Sequence, residues 1–119
     1  MSSLDEPIMD RQRAIARLAG SEQLFAELVS FFLEDSPALE QRIRTGLAQQ
    51  DAREVSIAAH SLKSLAANFD GLRASRAAAK VEELGEQGDL VGAAAVAELL
   101  YRELATLCEA ITPYRSRKS

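Results

Sequence analysis

The chain has 119 residues, 47% of them hydrophobic, 27% charged and only 5% aromatic, with no tryptophan and a formal net charge of -4. That length makes one domain with one core, and apolar content dominated by Ala and Leu favours helices packed on helices. The negative balance argues against a nucleic-acid partner, because binding a phosphate backbone requires a basic surface that releases counterions.

Taken in chain order, Asp10 to Leu18 reads as a short first helix, with Ile15 and Leu18 as its apolar edge and Gly20 as its stop. Ser21 offers an N-cap for the next helix, and Glu22 faces the positive end of its dipole. That helix carries Leu24, Phe25, Leu28, Val29 and Phe32, then Leu39, Ile43 and Leu47; Pro37 is expected to break or kink it between the two halves. Gly46 and the Gln49-Gln50 pair are expected to close it. Asp51 and Glu54 have the spacing of a capping box at the start of a helix that ends in an Asp70-Gly71 turn. Leu72 to Gln87 turns Ala74, Ala77, Val81 and Leu84 inward, and Gly88-Asp89 supplies a stop followed by an N-cap. Leu90 to Ile111 is the last helix, ended by Pro113. The longest mostly apolar run, Leu90 to Leu100, is interrupted by Gly92 and Glu98 and is shorter than the roughly 20 residues that span a bilayer. Met1 to Pro7 is polar and acidic, without the basic start and apolar centre of a signal peptide. Both features point to the cytoplasm and away from a membrane.

No strand pattern, repeat or low-complexity tract appears. Short connections between long amphipathic helices predict an all-α fold, an antiparallel up-down four-helix bundle with an additional short N-terminal helix. Residues 1–9 form an N-terminal extension, 10–112 the helical domain, and 113–119 a basic tail in which Arg115 to Ser119 is expected to be disordered. Cys108 stands alone, which rules out a disulfide framework, and its place in the Leu104, Leu107, Ile111 stripe predicts a buried core thiol.

His60 is the only histidine. Val55, Ala58, Ala59, Leu62, Leu65, Ala66 and Phe69 recur at threes and fours to make one apolar stripe, and at about 100° per residue His60 falls roughly 160° from its centre. It therefore faces solvent. Around it Ile57, Ser61, Ser64 and Ala67 are apolar or small where a merely solvated helix would carry long charges, which is the composition of a docking surface. Counting from the Asp70-Gly71 turn, His60 is about ten residues before and Glu82 about eleven after, so at 1.5 Å per residue both lie roughly 16 Å from the turn on adjoining helices. A carboxylate there fixes the imidazole tautomer and leaves Nε2 outward; Glu83 would take that place if the turn were one residue longer. Lys63, one turn from His60, could neutralise charge on a transferring phosphoryl group. A metal reading is weak, since one His and one distant Cys provide no ligand cluster.

The stretch Ala59-His60-Ser61-Leu62-Lys63-Ser64-Leu65-Ala66-Ala67-Asn68-Phe69 closely resembles the signature of histidine-containing phosphotransfer (HPt) domains, A-H-x-L-K-G followed by small residues and an apolar-Gly turn. Val81-Glu82, Leu84 and Gly88-Asp89 are similar to the family pattern downstream, as are Gly20-Ser21, Phe31-Phe32, Pro37 and Leu39 upstream. Ser64 stands where the family commonly has Gly, and Asp70 takes the usual position of the turn Gly. The resemblance spans about Asp10 to Ile111. It implies that His60 is the phospho-acceptor, Lys63 the residue assisting the phosphoryl group, and Glu82 the hydrogen-bond partner of the imidazole. It further implies a stoichiometric phosphocarrier and not an enzyme, with no cofactor of its own and magnesium on the partner. The partners it implies are receiver domains of response regulators and a hybrid sensor histidine kinase, and a monomer is the expected state. No G-x-x-x-x-G-K-[ST] or G-x-G-x-x-G occurs, so the phosphoryl group must come from a partner. The competing expectation is a helical adaptor that binds a receiver or kinase domain without accepting phosphate.

Overall fold

The computed structural model describes residues 6–116. Within them the chain is helical throughout: α1 (Arg11–Arg17), α2 (Glu22–Ala48), α3 (Ala52–Ala67), α4 (Leu72–Glu86) and α5 (Leu90–Ile111), followed by a 3-10 turn, Thr112–Tyr114. No strand occurs among the described residues. Each long helix begins where the sequence places a stop signal or a cap. The side chains of Ser21, Asp51 and Asp89 accept the backbone N–H groups of Leu24, Glu54 and Gly92 at 3.1, 3.1 and 2.9 Å, satisfying donors that a helix start leaves open.

The helical bundle is held by one core. α3 packs between α2 and α4, α5 packs on α4, and α2 also meets α5 and the turn after it. The stripe read on α3 is inside: Val55, Ala58, Ala59, Leu62 and Ala66 are fully buried. Ala74 and Ala78, buried and small, lie on the same side of α4 as Gly85, which stands against α3. A Cβ on Gly85 would stand 3.2 Å from Ser56 N and 3.3 Å from Ala52 O, so a larger residue there would press α4 away from α3 by a few tenths of an ångström. Phe69, 1% exposed, meets Phe25 and Phe32 edge-on at ring separations of 5.8 and 5.5 Å and ties the turn after α3 to α2.

The structure corrects four expectations. α2 runs unbroken through Pro37. The ring withholds one N–H from the Leu33 carbonyl, but Val29 and Phe32 before it and Ile43 after it are all buried, so packing on both sides holds the helix together. Gly46 does not close α2; it is buried inside it, where a Cβ would meet Val55 Cγ2 at 2.9 Å, and the chain turns at Gln50 with φ +57°. The capping box of α3 is half made: Asp51 caps Glu54 N, but the Glu54 carboxylate is bonded to Arg42 on α2, and Asp51 N donates to Gly46 O at 2.8 Å. Finally, Arg115 and Ser116 are ordered against α2, with Ser116 N donating to Ser30 Oγ at 2.9 Å. The expectations for residues 1–5 and 117–119 lie outside the described residues.

The short helix α1 clasps the end of α3. Asp10 N donates to Phe69 O at 2.9 Å, and Arg17 reaches the Ala67 and Asn68 carbonyls at 3.1 and 3.3 Å and the Asp70 carboxylate at 2.9 Å. Asp70 takes the left-handed conformation, φ +49°. Gly71 is needed for space instead, since a Cβ there would lie 3.0 Å from Leu107 Cδ2 and 3.1 Å from Ala66 O. Cys108 is half-buried with Sγ 3.9 Å from Ser36 Oγ, and burial pushes its thiol up, away from the reactive thiolate.

Candidate functional site

His60 lies near the middle of α3 with its side chain 59% exposed, on the face opposite the buried stripe. α4 runs alongside and brings Glu82 level with it. His60 Nδ1 is 2.7 Å from Glu82 Oε2, so the register counted from the Asp70-Gly71 turn holds and Glu82, not Glu83, meets the imidazole. Glu83 is turned outward, 3.5 Å from Lys80 Nζ. Gly85, one turn along α4 from Glu82, lets the two backbones close enough for that short bond.

Glu82 has a second partner. Lys63 Nζ donates to Oε1 at 2.7 Å, so each oxygen of the carboxylate holds one charge-assisted bond from α3. Burial, with the Glu82 side chain only 16% exposed, pushes its carboxyl up. The hydrogen bonds from Lys63 and His60, with their charges, outweigh that and hold it below the ordinary carboxylate value. An ionised carboxylate only accepts, so the proton of this bond is on Nδ1, and in the neutral ring Nε2 carries the lone pair. The result is a nucleophilic nitrogen at an open edge of the protein.

Two concavities meet at this imidazole. An open groove of about 530 Å³ between α2 and α3 is lined by Phe31, Asp35, Leu39, Arg42, His60, Ser61 and Ser64, among others. A smaller hollow of about 220 Å³ on the α4 side is lined by Ser56, Ile57, His60, Ser61, Glu82 and Glu86. Of the docking residues expected from sequence, Ser61 lines both, Ser64 the groove and Ile57, 42% exposed, the hollow. Ala67 is exposed but borders neither, and its carbonyl is taken by Arg17. Sequence reasoning missed the α2 wall of the groove. A signal existed: in the Phe31-Phe32 pair only one ring can turn inward, and Phe32 is fully buried while Phe31 remains 49% exposed.

Among the described residues no group of three or more His, Cys, Asp or Glu side chains could hold a metal ion, and no helix is long and apolar enough to cross a membrane. No curated protein and no solved structure matches the chain. A family model described as the Hpt domain matches residues 27–112, a span that contains α3, α4, α5 and every residue of the site. With that match over most of its length, the chain belongs to the Hpt domain family of two-component phosphorelays.

Proposed function

We propose that the protein is a phosphorelay intermediate in which His60 Nε2 accepts a phosphoryl group from an aspartyl phosphate on a receiver domain, or from a sensor kinase, and passes it to the aspartate of a response regulator. The observation that carries this reading is an imidazole 59% exposed whose Nδ1 is tied at 2.7 Å to an ionised carboxylate. In the neutral ring the Nε2 lone pair then faces outward, and Glu82 holds the ring in one orientation. Lys63, three residues along the same helix, supplies positive charge for the transferring group, whose chemistry depends on electrostatic stabilisation more than on covalent help.

The protein acts as a stoichiometric carrier and not as a kinase. Magnesium belongs to the receiver, whose acidic residues hold it. The receiver docks over His60, with Ile57, Ser61 and Ser64 on α3 and the exposed Phe31 on α2 as its contacts; an apolar patch ringed by polar groups suits this role. We read α2 to α5 as an antiparallel up-down four-helix bundle with α1 added at one end, supported by short connections at 49–51, 68–71 and 87–89 between helices that pack on one another. The working state is a monomer in the cytoplasm, where its partners are.

The test is incubation with a phosphorylated receiver domain, followed by analysis of the label on this protein. Label that is acid-labile and alkali-stable, and that disappears in His60→Gln, is expected. An unlabelled wild type, or label undiminished in His60→Gln, overturns the reading in favour of an adaptor that only binds.

A further inference from the structure

The hydroxyl groups of this chain are almost all engaged. Ser21 caps α2, Ser30 accepts from Ser116 N, Ser36 faces Cys108 Sγ and Thr45 accepts from Gln41. Ser56, Ser75, Thr106 and Thr112 turn back onto a backbone carbonyl three or four residues earlier, the usual resting place of a helical hydroxyl. Ser116 aside, only Ser61 and Ser64 among the described residues keep a hydroxyl with no hydrogen-bond partner, and both line the groove beside His60.

Of these two, Ser64 is the one aligned with the imidazole. At about 100° per residue it lies about 40° round α3 from His60 on one side, with Lys63 about 60° on the other. The Cα–Cβ bonds of a helix tilt towards its N-terminus, so the Ser64 side chain, one turn on, leans back over the turn that carries His60. Ser61 is the next residue along and is turned about 100° from the ring, and adjacent helical positions do not face each other. Lys63 is drawn to the α4 flank by Glu82. On the groove flank Arg42 is held by Glu54 and the Asp35 carboxylate only accepts, which leaves the Ser64 hydroxyl as the donor best placed there.

We propose, on the reading that His60 is the phospho-acceptor, that Ser64 is a further catalytic residue, its hydroxyl donating a hydrogen bond to an oxygen of the phosphoryl group that His60 Nε2 receives. In transfer from an aspartyl phosphate the Nε2 lone pair forms the N–P bond as the P–O bond breaks, its electron pair staying with the donor carboxylate. The Ser64 proton remains on Oγ throughout, so the serine acts by stabilising charge on the moving oxygens and not by acid–base chemistry. A glycine, the residue common at this position in HPt domains, has no such donor. Serine adds it in a side chain small enough to leave the approach to His60 open.

The experiment uses phosphoramidate, a donor too small to need a docking surface, so that contacts with a receiver do not enter the result. The full chain and its Ser64→Ala, Ser64→Gly and Ser64→Thr variants are phosphorylated, and the rate at which phosphohistidine forms is followed by ³¹P NMR. Ser64 is exposed, so each variant is expected to fold, and circular dichroism checks that it has. Ser64→Ala and Ser64→Gly are expected to slow formation by about three- to tenfold, the size of one hydrogen bond whose donor otherwise binds water. Ser64→Thr restores the hydroxyl and is expected to recover most of that loss. Bulk alone gives the opposite order, with glycine fastest and threonine slowest. Alanine and glycine variants as fast as wild type, or a threonine variant no faster than the alanine one, overturn the role of Ser64 and leave the acceptor reading of His60 standing. If neither phosphoramidate nor a phosphorylated receiver produces phosphohistidine in the wild type, the acceptor reading falls and the role of Ser64 with it.

Discussion

Glu82 carries two partners on one carboxylate, and its titration gives a direct check on that arrangement. Its carboxyl is held below the ordinary 4.5 in the folded chain, so its bonds to Lys63 and His60 contribute their full stability above that value and lose it as pH falls through the lower folded one. The stability difference between wild type and Glu82→Gln, from urea denaturation, is expected to shrink as pH falls below the ordinary carboxylate value. Lys63→Ala leaves the core untouched and should slow phosphoryl transfer by about a hundredfold, the size of effect seen when one stabilising donor is lost from a charged transition state. Stopped-flow rates equal to wild type would remove Lys63 from its assigned role. The match of His60 with Glu82 was legible in the sequence, because the Asp70-Gly71 turn sets the register between two regular helices and 1.5 Å per residue does the rest. The bond from Lys63 to the same carboxylate was not. Three-residue spacing places the ammonium near His60 but says nothing of an acceptor arriving from another helix.

The α3 and α4 helices come together through glycine and alanine, and the reach of Glu82 to His60 depends on it. Gly85→Ala places a Cβ against the backbone at Ser56 N and Ala52 O, at 3.2 and 3.3 Å, where no flexible side chain can give way. The expected cost is about 1–3 kcal/mol in the urea midpoint, with slower transfer because the imidazole and carboxylate are drawn apart. A Gly85→Ala protein as stable and as fast as wild type would show that the approach of the helices does not set the site. Helix boundaries were well read from caps and stops: α5 runs from Leu90 to Ile111 as expected, and Asp89 caps it. Gly46, and the break expected at Pro37, were misread for one reason. Each has the form of a local break signal, but Gly46 faces Val55 on another helix and the residues flanking Pro37 are buried against the rest of the core, so long-range packing decides what local preference proposes.

For the molecule as a whole, the aromatic cluster of Phe25, Phe32 and Phe69 ties the turn between α3 and α4 to α2. Phe69→Ala empties a site only 1% exposed, and a loss of about 3–5 kcal/mol is expected from urea denaturation followed by circular dichroism. A single cooperative transition should persist, as for most domains of this size, and a loss under 1 kcal/mol would mean that the neighbouring rings close the gap. The all-helical class was plain from composition and periodicity, whereas the contribution of α2 to the surface around His60 was signalled only by the Phe31-Phe32 pair and became definite with packing. The grip of Arg17 on the final carbonyls of α3 bears on recognition kinetics. A helix whose last turn is pinned resists fraying towards His60, so on the proposed function an arriving receiver is expected to meet a rigid target. Association is then expected to proceed as rigid-body docking, with its speed governed by diffusion and orientation and not by rearrangement of this protein.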